Sequence, residues 1–313
     1  MNPLKKYSSI IVTGSIAYDD IMNFPGFFKD HFHPDKLHQI NISFVVKTLE
    51  KHMGGTATNI SYNLKKVTDK KVIICGGVGR DHEALTTFYK KNGIDTSGLV
   101  FDDTQFTATG KVITDQADNQ IWGYYYGACA KGDQVDFKPL TKNAFGIISA
   151  NHPLAYFHAQ KYFIAHKIPY LYDPGMALTF IKDPDLLEGI MHSEYLIGND
   201  YEISQLFRRL DIDVSHVIEK GIGVITTLGA EGVYYQDKES QYRIKGYPVK
   251  NIVDPTGAGD GWRGGFVASL IDGNTIEESL KIANALASFA VEAHGTVSHN
   301  PTKKEIVERA KEL

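Results

Sequence analysis

Short apolar or β-branched runs alternate with stretches of helical period along most of this chain, and that rhythm restricts the fold more than any other feature. The runs are Ser9–Thr13, Val72–Val78, Phe145–Ala150, Ile168–Tyr172, Tyr195–Gly198 and Gly223–Leu228. Between them, Asn59–Val67, His82–Lys91 and Ala155–His166 carry apolar residues at helical spacing. Strands joined through helices pair in parallel, because each crossover carries the chain back to the end of the sheet where the previous strand began. Helices on both faces bury such strands twice over, so they read as unbroken apolar runs, as Ile73-Ile74 and Ile147-Ile148 do. The pattern predicts an α/β chain with a three-layer α/β/α core around a mainly parallel sheet.

Two regions break the rhythm. Asn41–Val46 reads as a strand, and Ala108–Thr114 and Gln120–Tyr126 alternate around the turn-prone Asp115–Asn119, which reads as a hairpin. A small separate sheet, drawn from segments about 17–50 and 105–130, is therefore expected as a β lid over a ligand crevice. With no solenoid repeat, low-complexity tract or proline-rich linker, residues 1–313 read as a single domain carrying that lid. Towards the C-terminus, Thr275-Ile276-Glu277-Glu278 reads as a capping box that opens a helix ending near Gly295. Trp262, Phe266 and Leu270 repeat every four residues, which predicts a further buried helix starting near Gly259.

Charge and composition exclude several classes of function. Lys and Arg total 33 against 37 Asp and Glu, and a net charge of −4 offers no electrostatic grip on nucleic acid or an acidic membrane. No run approaches the roughly 18 apolar residues that span a bilayer, and Ile10-Ile11-Val12 is too short for a secretory signal, so a cytoplasmic location is expected. Cys75 and Cys129 have no partner at metal-ligand or redox spacing. His31, His33 and His38 read as a polar loop rather than a metal site, and no His-Glu-x-x-His occurs.

Residues 252–265, Ile-Val-Asp-Pro-Thr-Gly-Ala-Gly-Asp-Gly-Trp-Arg-Gly-Gly, are where chemistry is written most clearly. Gly257, Ala258 and Gly259 precede a predicted helix, so their backbone N–H groups stand at its positive end and suit an anion. The Gly-x-x-x-x-Gly-Lys-Ser/Thr pattern is absent, so any phosphate grip comes from amides without the P-loop lysine. Asp260 follows directly. A carboxylate beside an anion hole fits a base that orients and deprotonates a hydroxyl attacking a phosphoryl group, and the helix end is expected to keep it ionised and weakly basic. Standing alone it would equally be a dipole-stabilising helix-end carboxylate.

It does not stand alone. Asp254-Pro255-Thr256-Gly257-Ala258-Gly259-Asp260 resembles the second signature of the ribokinase-like (PfkB-type) carbohydrate kinases, with Pro255 where the family usually has Thr. Gly14-Ser15-Ile16-Ala17-Tyr18-Asp19 is similar to the family's first strand and turn, and Gly54-Gly55-Thr56-Ala57-Thr58-Asn59 to its Gly-Gly-x-x-x-Asn signature. The resemblance covers nearly the whole chain. It implies a kinase that uses ATP, with Asp260 as base and Gly257, Ala258 and Gly259 as the catalytic anion hole. Asp19, Gly54, Gly55 and Asn59 would bind the sugar. Asn199-Asp200-Tyr201-Glu202 resembles the Asn-x-x-Glu motif, so Asn199 and Glu202 would hold Mg²⁺ through water, while a capping arrangement is also open. Thr227 and Gly229 fall in the segment that approaches ATP, and Asn284 and Gly295 in the adenine pocket. Asp254 and the Thr256 carbonyl match a monovalent cation site, which implies K⁺.

Phe28, Phe106, Trp122 and Tyr124–Tyr126 could stack on a base, and the segment Phe24–Ser43 resembles the lid of bacterial adenosine-kinase-like members. Trp262-Arg263-Gly264 is also similar to the continuation seen among adenosine kinases. The expected substrate is therefore the 5′-hydroxyl of adenosine, with ribose or fructose as the alternative acceptor. A homodimer through the lid is left open. Two other classes can be written: a nicotinamide-dependent oxidoreductase built on Gly259-Asp260-Gly261-Trp262-Arg263-Gly264, and a non-catalytic nucleotide or sugar sensor, against which the retained Asp260 argues.

Overall fold

The computed structural model describes residues 3–32, 41–117 and 119–313. In chain order its strands are β1 (Ser9–Thr13), β2 (Ala17–Asn23), β3 (Thr48–Gly54), β4 (Lys71–Gly79), β5 (Asp95–Asp102), β6 (Ala108–Thr114) and β7 (Gln120–Tyr125). They continue with β8 (Ala144–Ile148), β9 (Tyr170–Tyr172), β10 (Tyr195–Asn199), β11 (Gly223–Thr227), β12 (Val233–Gln236) and β13 (Gln241–Ile244). The helices are α1 (Thr56–Val67), α2 (Glu83–Lys91), α3 (Pro153–Ala165), α4 (Asp183–Met191) and α5 (Asp200–Leu210), then α6 (Val214–Ile218), α7 (Ala258–Asp272), α8 (Ile276–Val291) and α9 (Lys303–Ala310).

β1 is buried at every residue, and its side chains divide between two cores. Ile10 and Val12 pack on one face with Leu64 of α1, Phe266 of α7 and Leu286 of α8. Ile11 packs on the other with Phe163 of α3, Leu186 of α4 and Leu206 of α5. This period-two split is what a strand covered on both sides must show, and it makes the three layers. Among the described residues the large sheet runs β13-β12-β11-β10-β9-β8-β1-β4-β5, with parallel pairing from β11 to β5 and an antiparallel hairpin of β12 and β13 at one edge. β5 is an edge strand whose short apolar run, Leu99-Val100-Phe101, is only partly covered, with Gly98 and Asp102 its buried residues.

A second sheet has the order β3-β2-β6-β7. The predicted hairpin is β6 and β7, paired from Thr109–Tyr125 to Thr114–Gln120. The predicted strand over Asn41–Val46 is not one: pairing with β2 begins at Thr48 and runs to Gly54 opposite Ala17. Phe44 instead packs its ring against Phe24 and Phe28, at centroid distances of 4.7 and 5.1 Å. Burying that side chain in a cluster holds the segment off the ladder, while the Gly54–Ala17 end sets the register for β3. His33 and His38, and with them most of the suspected histidine loop, lie outside the described residues.

The C-terminal helices follow their caps. The Thr275 hydroxyl accepts from the Glu278 amide and the Glu278 carboxylate accepts from the Thr275 amide, closing the capping box at the start of α8. α7 starts at Ala258, one residue before its expected position, and buries Trp262, Phe266 and Leu270 as its repeat requires.

Candidate active site

Strand order alone locates a crevice. β1 is followed in the sheet by β4 on one side and β8 on the other, so crossovers diverge at its carboxyl end and leave a gap there. The chain turns at Gly14-Ser15, and α1 docks its N-terminus on that turn. The Thr56 hydroxyl donates to the Ala150 carbonyl at 3.0 Å and accepts from the Ser15 amide at 3.2 Å, tying the ends of β1 and β8 to α1. Gly55 has φ +87°, and a Cβ there would strike the Ser15 carbonyl, so this close docking requires glycine.

α7 enters the same crevice from the opposite side. Gly257, with φ +81°, turns the chain into the helix. The Ala258 amide is occupied by the Pro255 carbonyl at 3.2 Å, whereas the amides of Gly259 and Asp260 lie in the first turn with no intrahelical carbonyl to reach. Asp260 stands beside these two donors, and its Oδ2 accepts from Asn59 Nδ2 at 2.8 Å across 201 residues of sequence. Burial pushes its carboxyl up to about 6, against the opposing pull of Arg263 and of the Asn59 hydrogen bond, and Asp173 pushes it further. The helix end was expected to keep this group a weak base. Desolvation in the crevice outweighs the dipole, which acts through the exposed first turn.

Arg263, one turn along α7, donates from Nη2 to Asp173 Oδ1 at 2.6 Å, and both side chains are almost fully buried. Asp173 Oδ2 accepts from the Ser149 hydroxyl at 2.6 Å. Nothing in the sequence reading singled out Asp173. The available signal was an aspartate directly after the apolar run of β9, at the carboxyl edge where the crevice lies. The Asn59 Oδ1 atom is buried with no hydrogen-bond partner, so this asparagine keeps one unused acceptor beside its bond to Asp260.

The second sheet lays one face over this space. Residues directly opposite across β3, β2, β6 and β7 are His52, Asp19, Gly110 and Tyr124, so all four share that face. A Cβ on Gly54 would collide with Asp19 Oδ2, and one on Gly110 would lie 2.8 Å from Asp19 Oδ1 and 3.2 Å from the Trp122 ring. Two glycines thus make room for the carboxylate, and the aromatic side chains of β7 stand immediately beside it. Burial raises the Asp19 carboxyl, His52 opposes the rise and Asp20 adds to it. Gly110 escaped the sequence reading because a glycine in an alternating strand carries no chemical signal of its own.

The proposed stacking residues divide. Trp122 and Tyr124 reach the Asp19 side of Gly110. Phe28 is buried in the aromatic cluster with Phe24 and Phe44, and so is spent on packing. Phe106 lies under the Arg80 guanidinium at 3.9 Å, and Tyr126 meets His152 edge to face.

On the far side of the Gly257–Asp260 turn is an apolar cavity of about 490 Å³, within the range of small-molecule sites. Thr227, Gly229, Tyr247, Ile252, Gly259 and Asn284 contribute to its walls. Asn284 does so as a brace: its Oδ1 accepts from Trp262 Nε1 at 2.8 Å and its Nδ2 donates to the carbonyls of Ile244 and Lys245. Its polar atoms hold the β13 end against α7 instead of facing the cavity. Gly295 does not line this cavity, and its amide donates to Asp254 Oδ2 at 3.0 Å.

Asp254 also accepts from the Thr256 amide at 2.9 Å. Despite desolvation, these amides and the Gly295 bond hold its carboxyl below the usual range, so it is a fixed anion at the base of the loop. Each of its oxygens accepts one backbone amide, which leaves lone pairs on both that suit a hard cation. Asn199 and Glu202 form a reciprocal capping box at the start of α5, each bond 2.8 Å long. That cap engages Asn199 Oδ1 and Glu202 Oε2, and the Glu202 charge acts on Arg263, which sets it at the crevice edge. Hard oxygen donors at this position suit Mg²⁺ retained with its waters. The six glycine-spaced residues from Gly259 to Gly264 lie wholly inside α7, with no strand running into them, so the nicotinamide reading fails.

Comparison with known proteins follows the same division. The model of the pfkB family of carbohydrate kinases matches residues 13–303. A ribokinase from Bacillus subtilis is 30% identical over 250 residues, covering 76% of this chain and 81% of that protein. The solved structure of a nucleoside kinase from Methanocaldococcus jannaschii superposes with a TM-score of 0.87 at 28% identity, covering 98% and 99% of the two chains. A Burkholderia thailandensis nucleoside kinase in complex with ADP-inosine gives 0.82 at 25% identity, over 97% of this chain and 95% of that one.

Proposed function

This chain belongs to the pfkB family of carbohydrate kinases, and on that premise we propose that it moves the γ-phosphoryl group of ATP to the 5′-hydroxyl of a nucleoside, adenosine first among them. The observation that carries the reading is the shared lid face on which Asp19 and the aromatic rings of Trp122 and Tyr124 meet at Gly110. A ribose needs a carboxylate for its vicinal hydroxyls, and a purine needs a flat apolar partner beside it. Ribose alone would make no use of the rings. Kinship with a nucleoside kinase that holds inosine and ADP together supports the same assignment.

In this reading the sugar lies between Asp19, the Gly54-Gly55 turn and Asn59, with its 5′-hydroxyl at Asp260. ATP lies with its base in the apolar cavity and its terminal phosphate at the amides of Gly259 and Asp260. Thr227 and Gly229 flank the polyphosphate. The hydroxyl oxygen bonds to the γ-phosphorus, the bond from that phosphorus to the β,γ-bridging oxygen breaks, and ADP leaves with the electron pair. Asp260 receives the hydroxyl proton. A loose phosphoryl-transfer transition state asks for little proton removal until late, so Asp260 serves chiefly to aim the hydroxyl, with Asn59 holding its carboxylate. The two amides face charge gathering on the transferring oxygens, where donors already in place cost no reorganisation. Asn199 and Glu202 are the residues to hold Mg²⁺, which would offset charge on the polyphosphate. Asp254 and the Thr256 carbonyl are those to hold K⁺ under the anion hole.

The test is ADP release measured over adenosine, inosine, ribose and fructose. Highest kcat/KM on a nucleoside is expected; a preference for free ribose would transfer the chain to the ribokinase side of its family. In the same assay Asp19→Ala is expected to raise nucleoside KM on the order of 10- to 100-fold, the loss of charge-assisted hydrogen bonds to two hydroxyls. An unmoved KM would place sugar recognition elsewhere.

A further inference from the structure

We propose that Glu50, His52 and His294 form a binding site for one divalent transition-metal ion of the zinc type, which fastens the lid strand β3 to the loop following α8. The three side chains come from two distant parts of the chain. Glu50 and His52 are two apart on β3 and so share its face, while His294 stands in the loop between α8 and α9. Their ligand atoms all lie within 4.8 Å of one another. Glu50 Oε2 is 3.1 Å from His52 Nε2 and 3.3 Å from His294 Nε2. Both contacts are hydrogen bonds from an imidazole to the carboxylate, and their lengths are close to the about 3.3 Å that separates two ligands of a tetrahedral zinc ion bonded at about 2.05 Å, so an ion could replace the shared protons with little movement of these groups.

The surroundings agree. No lysine or arginine pairs with Glu50 among the described residues, so its half-exposed carboxylate has the two imidazoles as its charged partners. The second nitrogen of His294, Nδ1, lies 3.8 Å from Asp254 Oδ2, within ion-pair distance but beyond a hydrogen bond, so this carboxylate favours the imidazole through charge. Imidazole nitrogens with one carboxylate oxygen select zinc-type ions over Mg²⁺, which prefers oxygen donors and water. Two imidazoles and a carboxylate leave the fourth tetrahedral position for water. A bound ion would join β3, two residues before Gly54, to the loop whose Gly295 amide holds Asp254.

The full-length protein, stripped with a chelator and dialysed, is titrated with Zn²⁺ by calorimetry and with Co²⁺ by visible absorption. One equivalent of Zn²⁺ is expected to bind at micromolar concentration and raise Tm, and Co²⁺ is expected to give the intense d–d bands of a four-coordinate site. In Glu50→Gln/His294→Asn, and in His294→Asn alone should the double variant fold poorly, affinity is expected to fall by at least about 100-fold, with loss of those bands. Equal Zn²⁺ affinity in wild type and variants would assign the binding to other histidines and overturn the proposal. So would the lack of saturable binding at micromolar concentration, or six-coordinate Co²⁺ spectra in the wild type.

Discussion

Asp260→Asn is expected to lower kcat by about 10²- to 10⁴-fold while nucleoside and ATP affinities change little, because the lost proton acceptor acts only in the reacting state. The substitution keeps the shape of the side chain, and its amide oxygen can still accept from Asn59. Wild-type kcat/KM should fall on the acid side with an apparent pKa near the value of about 6 to which burial raises this carboxyl. Stability should move the opposite way. Burial pushes the folded carboxyl up to about 6 from 3.8 for the free group, so folding favours its protonated form. The associated stability is fully present below 3.8 and is lost as pH rises through about 6. Asn, neutral throughout, does not carry the cost of burying a charge. The variant should therefore melt above wild type at pH 8, with the gap closing towards pH 4. Near-normal turnover would remove Asp260 from the base role, and equal melting at pH 8 would mean that its carboxylate is solvated.

Arg263→Met is expected to be the most destabilising single substitution at the site, by about 3–5 kcal/mol, measured as the shift in urea midpoint multiplied by the m-value. Methionine fills most of the volume of the arginine stem, so packing is largely kept. What changes is charge: Asp173 and Asp260 are left facing each other in the crevice without the cation between them. Removing the arginine also takes away the largest downward influence on Asp260, so the acid limb of kcat/KM should move to higher pH. Asp173→Asn/Arg263→Met, which neutralises both partners, should recover part of the stability and, because the Asp173 charge also raises Asp260, bring the limb part of the way back. A midpoint and a limb both unchanged in Arg263→Met would show that the Asp173–Arg263 pair is neither buried nor coupled to the base. The pair acts through Asp260 and is a positioning device.

The sheet was legible because its signal is local. A strand buried on both faces must be apolar at consecutive positions, and β1, β4, β8, β10 and β11 are each recognisable without knowing their neighbours. β5 was not, since an edge strand needs only a short apolar run, here Leu99-Val100-Phe101 behind the polar Asp95-Thr96-Ser97. Asn41–Val46 has the composition of a strand, but Phe44 found a better partner in Phe24 and Phe28 than in the ladder. The site divides in the same way. Gly257–Asp260 could be read as an anion hole with a carboxylate because helix ends are properties of short segments. The roles of Asp173, Gly110 and His294 could not, because each depends on a residue far away in the chain.

Local pattern thus determined, from the sequence alone, an α/β sheet and the helix that begins at the glycine turn, and the motifs resembling a kinase family gave the expectation of phosphoryl transfer. Tertiary structure decided that Asn59 holds Asp260, that Arg263 lies paired with Asp173, that Asn284 braces the apolar cavity, and that burial pushes the Asp260 carboxyl up to about 6. The physical reason is that hydrogen-bonding periodicity and backbone dipoles are set by adjacent residues. Desolvation and charge pairing are set by whatever the strand order brings within a few ångströms, and 201 residues separate the two ends of the Asn59–Asp260 bond.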